Sequence, residues 1–142
     1  MEMILEQSPY SLVKPGSYRV MLDSFRTVRM FKCPKLELTF TIVSFGDAHG
    51  VRLPRFFNVD RFTSKAGKNG GFSVSPNRDF PRELLTLFNY ECKRKDRYPM
   101  SLFNGVTIEA DVITVKEARG RVIPAPLRYS KINRLVRVIE GA

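Results

Sequence analysis

The chain has 142 residues, long enough for one compact domain and too short for two. A hydrophobic content of 43% excludes disorder as the default reading, and 24 Lys and Arg against 14 Asp and Glu leave a net charge of +10, a field that favours polyanions. Two distant cysteines and one histidine do not assemble a structural zinc site, and no apolar run is long enough to span a membrane.

A single domain is therefore expected over residues 1–142. Residues 1–16 read as an irregular lead-in broken by Pro9 and by Pro15-Gly16, without the basic start and apolar stretch of a signal peptide. "SYRVMLDSF" alternates Tyr18, Val20 and Leu22 against Arg19, Met21 and Asp23, which predicts strand 1. Strand 2 sets Leu36, Leu38, Phe40 and Ile42 on one face, with Glu37, Thr39 and Thr41 on the other. "GDAHG" at 46–50 is a turn, and strand 3 over 51–59 contains Pro54, which calls for an edge or a bulge. Residues 60–79 form a long basic loop.

In "FPRELLTLFNYECKR" Pro81 suits a first helical turn, and Leu84, Leu85, Leu87 and Phe88 make an apolar stripe, which predicts a helix of about three turns. Asn104-Gly105 opens strand 4, which runs through Val115; residues 116–126 are a second exposed loop, and the last strand covers about 128–139. This order gives a mainly β fold: a five-stranded OB-like Greek-key barrel with one helix between strands 3 and 4. Such barrels bind oligonucleotides or oligosaccharides on strands 2 and 3 and on the loops between strands 1 and 2 and between strands 4 and 5.

The basic excess falls on those parts, whereas the helix region nearly balances its charges. Arg26, Arg29 and Lys32, between strands 1 and 2, are expected to hold phosphate. So are Arg52 and Arg55 on strand 3, Lys65 and Lys68 in the long loop, and Arg119 and Arg121 between strands 4 and 5. Single strands also need aromatic platforms, each base stack being worth about 1–3 kcal/mol. Phe56 and Phe57 are adjacent, so a regular strand buries only one; Phe31 is a further platform, and Phe45, Phe62 and Phe72 sit in or beside loops. Tyr18, Phe40, Phe88 and Tyr129 are assigned to packing.

Catalytic patterns are weak. "SKAGKNGG" lacks the first glycine of a phosphate-binding loop and has Asn69 where magnesium needs Ser or Thr. Glu109 and Asp111 share a strand face without an identifiable third carboxylate, and His49 lies in a turn without a partner in sequence. No catalytic residue, metal or cofactor is expected.

"PGSYRV", "KLELTFTIVSFGDAHGVRLPRFFNV" and "RYSKI" resemble a family of small proteins of bacteriophages and integrated mobile elements. The matching positions are Gly16, Tyr18, Lys35, Leu36, Leu38, Phe40, Ile42, His49, Gly50, Leu53, Asn58, Val59, Tyr129, Ser130 and Ile132. That family is similar to phage single-stranded DNA-binding proteins of OB type. The resemblance implies an OB fold and a role in replication or recombination of a mobile element, in the cytoplasm of a bacterial host. The chain ends "VIEGA", a departure from the acidic tail of cellular single-strand binders. The expected function is non-catalytic single-stranded DNA binding. The alternative is a basic module for an acidic host or element protein, such as a defence or replication component. RNA as ligand and homo-oligomerisation stay open.

Overall fold

The computed structural model describes residues 12–118, 120–125 and 128–140. Its longest strand, β1 (Gly16–Met30), turns Val20 and Leu22 towards the core and then inserts Asp23 as an extra, unpaired residue. After this bulge Phe25 and Thr27 continue on the core side. The inserted residue inverts the alternation, so a period-two reading stops near residue 25 while the strand continues to Met30. β2 (Cys33–Ile42) buries Leu36, Leu38, Phe40 and Ile42, as its alternation predicts.

The basic segment expected as a loop between strands 1 and 2 is instead an extended hairpin. Arg26 and Arg29 lie on β1 and Lys35 on β2, and only Phe31 and Lys32 form the turn, between paired Met30 and Cys33. Both turn residues are left-handed, with φ of 53° and 66°, as a type I′ hairpin turn requires.

β3 (Arg52–Asn58) pairs with β2 in unbroken register and ends the hydrogen-bonded sheet, an edge position that suits Pro54. The loop expected over 60–79 contains three short strands. β4 (Arg61–Phe62) pairs with β6 (Phe72–Ser73), while β5 (Gly67–Lys68) adds to the side of β1 away from β2. α1 (Asp79–Phe88) follows, with Pro81 in its first turn and a left-handed Asn89 ending it through backbone bonds to Leu84 and Leu85. It buries Phe80, Pro81, Leu84 and Leu87, and leaves Leu85 exposed.

A 3-10 turn (Met100–Phe103) leads into β7 (Thr107–Val115). Within the second expected loop, β8 (Glu117–Ala118) and β9 (Arg121–Val122) form a small hairpin before β10 (Tyr129–Glu140). The main sheet runs β10-β7-β1-β2-β3, antiparallel throughout, and curls into a half-barrel. Its end strands, β3 and β10, approach each other, and α1 packs against both. The protein is thus mainly β, with one α-helix among the described residues. Phe57 meets Phe80 edge-on at 5.0 Å between centroids, and Phe40 meets Phe103 at 6.1 Å.

Candidate nucleic-acid interface

One row of side chains crosses four strands. Register sets Lys68 of β5 opposite Arg26 of β1, Arg26 opposite Glu37 of β2, and Glu37 opposite Phe56 of β3. Opposed residues share a face, so these four project from the side away from Leu36, Leu38 and Phe57. Val28, Lys35 and Asn58 form the next row towards the hairpin tip; Ser24, Thr39 and Pro54, then Thr41 and Arg52, extend the other way.

Glu37 is the exception on this basic face, because its side chain is 2% exposed although it points outward. Burial raises its carboxyl pKa above the ordinary glutamate value. Arg26 donates from Nε to Glu37 Oε1 at 2.8 Å while its own side chain stays 56% exposed. The carboxylate therefore holds the guanidinium by its inner nitrogen, and the arginine meets solvent in a fixed posture. Lys35 Nζ is similarly held by Asn58 Oδ1.

The start of β10 adds two half-buried groups. Burial, and then the positive charges of Arg55 and Lys35, lower the Lys131 pKa. Burial, and then the negative charge of Glu37, raise that of Tyr129. These mutual effects bring β10 into the electrostatic neighbourhood of the β2–β3 face. Sequence reasoning did not include Lys35, Lys131, Glu37 or Tyr129 in the site. Lys35 and Glu37 lie on β2 itself, whereas Tyr129 and Lys131 join them through the approach of β10 to β3, which no local pattern encodes.

Two expected site residues are turned towards the core. Phe57 is 2% exposed and belongs to the core, so on the unbroken β3 register Phe56 is the outward member of the pair. Arg55 shares the inward face with Leu53 and Phe57 and is only 11% exposed. Its guanidinium pairs with Glu83 of α1, donates to Phe56 O at 2.9 Å and lies over the Phe57 ring at 4.1 Å. Glu83 also accepts from the Leu135 backbone N–H at 3.1 Å, so one carboxylate ties β3, α1 and β10 together. Burial raises the Glu83 pKa, and the bond and charge of Arg55 act against that rise.

The other expected cations do not share one surface. Arg52 pairs with Asp23 at the β1 bulge, at 3.2 Å. Arg29 points to the reverse side of β1, its guanidinium 5.1 Å from the Phe62 ring centre. Lys32 and Phe31 are exposed at the hairpin tip, Lys65 and Lys68 in and beside β5, and Arg121 on β9. Arg119 lies outside the described residues. Of the remaining aromatics, Phe45 is fully exposed and stacks on His49 at 6.5 Å, and Phe72 is buried.

Glu109 and Asp111 project from one face of β7, each paired with an arginine of β10: Arg137 at 2.7 Å and Arg134 at 3.5 Å. Among the described residues, no group of three or more His, Cys, Asp or Glu could hold a metal ion, and no helix is long and apolar enough to cross a membrane. No protein-family model, curated protein or solved structure matches the chain.

Proposed function

We propose that the protein is a non-catalytic, single-stranded DNA-binding protein of OB type, serving the replication or recombination of a phage or mobile element. The fold part of this reading is supported by the strand order. β1 pairs with β2 and β7; β3 and β10 flank them, and α1 packs against both where β3 and β10 approach. In chain order the first hairpin and the β8–β9 hairpin correspond to the ligand-flanking loops of an OB barrel, which supports the reading. The resemblance to phage proteins supports the genomic setting.

The observation that carries the ligand class is the row Lys68–Arg26–Glu37–Phe56, with Lys35 in the row beside it. Cations held in place on the same sheet face as an outward aromatic suit a backbone that presents phosphates and unstacked bases together. A labelled oligo-dT of about 30 nucleotides exceeds the ~4–16 nucleotide footprint of one OB domain. Titrated with protein at rising salt, its anisotropy should report binding whose log K falls against log salt with a slope near −3.5, from about five phosphates at roughly −0.7 each. Duplex DNA should compete poorly. No binding at low salt would sink the reading and turn the search to an acidic protein partner.

A further inference from the structure

Beyond the β5 edge lies an open groove of ≈ 620 Å³, between the loop starting at Asn69 and the segment ending at Met100. Small-molecule sites occupy about 300–1,000 Å³. Phe25, Phe72, Tyr90 and Tyr98 line it with Met100, and Asn69, Asp96 and Arg97 supply polar groups.

Both walls are held from behind. Tyr98 stacks on Phe72, with centroids 6.0 Å apart and 5° between planes, meets Phe80 edge-on at 5.3 Å, and donates its hydroxyl to Val74 O at 2.8 Å. Opposite, Asn69 is left-handed with φ of 55° and donates its backbone N–H to Phe25 O. A Cβ on Gly70 would lie 2.2 Å from Oγ1 of buried Thr27 and 3.0 Å from Gly67 O, so this close approach of the loop to β1 requires glycine.

The groove also continues the proposed interface around an edge. Arg26 and Phe25 are consecutive on β1 and point to opposite sides, and Lys68, opposite Arg26, directly precedes Asn69. A phosphate chain leaving the outer row at Lys68 would find Arg97, a second cation, at the groove.

We propose that this groove receives one unstacked nucleobase of the bound strand, an inference that rests on the single-strand reading above. The aromatic walls take the π face of any base, the Asn69 amide meets its polar edge, and Arg97 meets a flanking phosphate. A free nucleotide shares this chemistry, so the test separates the two sources.

The experiment is photocrosslinking of the intact protein to an oligo-dT carrying 5-iododeoxyuridine, with the labelled residues identified by mass spectrometry. The expected result is labelling of Tyr90, Tyr98 or Met100. Tyr90→Ala should weaken strand binding about 10-fold, the loss of one base stack, while Tyr90→Phe restores it. Arg97→Ala, at an exposed position, keeps the test open should Tyr90→Ala fail to fold, and should weaken binding by severalfold. Strand binding with crosslinks confined to the β1–β2–β3 face overturns this inference and leaves the parent reading standing. So does labelling of the groove by 5-iodo-dUMP alone but not by the strand. Absence of strand binding overturns both.

Discussion

Phe31 and Lys32 occupy a backbone conformation that neither side chain favours. A left-handed residue with a Cβ costs roughly 1–2 kcal/mol, and two-residue hairpins of this type prefer Asn-Gly. Here the exposed turn carries a large aromatic and a cation instead. Replacing Phe31 and Lys32 together by Asn and Gly should therefore stabilise the fold by about 1–2 kcal/mol. That corresponds to a melting temperature higher by several degrees in a domain of this size. The same change should weaken oligo-dT binding by at least about fivefold, near the lower bound for one lost stack. Unchanged affinity places the tip outside the interface, and a lower melting temperature refutes the strain argument.

The seam between β3 and β10 is the element whose stability depends most on one buried pair. Arg55 and Glu83 are 11% and 13% exposed, and removing one partner leaves the other charged and desolvated. Glu83→Ala should cost about 3–5 kcal/mol in urea unfolding. Arg55→Met combined with Glu83→Ala should lose clearly less than the two single losses added, because the pair is coupled. Strict additivity would remove the seam from the account. At this scale the sequence is legible where structure is local: β2 and β7 follow from alternation, and α1 from Pro81 and its apolar stripe. Alternation stops short of the end of β1 because the Asp23 bulge breaks the period. The role of Arg55 depends on α1 and β10, far away in sequence; the spacing of Leu53, Arg55 and Phe57 puts the three on one face, and the unbroken β3 register shows that this face is the inward one.

Across the whole molecule the basic excess is uneven. On the β7–β10 wall Glu109 and Asp111 pair with Arg137 and Arg134, and Ser17 adds a hydrogen bond to Glu109. The face of β5, β1, β2 and β3 carries Lys68, Arg26, Lys35 and Arg52 against Glu37 and the bulge residue Asp23. That asymmetry was partly readable, since charge counts pointed to these segments, but counts do not say which cations share a surface. Two explanations of polyanion binding then separate. A face that docks a strand loses a phosphate contact with each local cation removed, whereas a diffuse field responds to net charge wherever it changes. Arg26→Ala and Lys35→Ala should each flatten the log K against log salt slope by about 0.7, one phosphate apiece on a single strand. Arg137→Ala removes the same formal charge from the opposite wall and should leave the slope unchanged. If all three variants flatten it equally, the strand is held by the field of the whole protein, and the row on β5, β1, β2 and β3 is no docking site. If only the first two do, phosphates lie along that row, with Phe56 beside them to take a base.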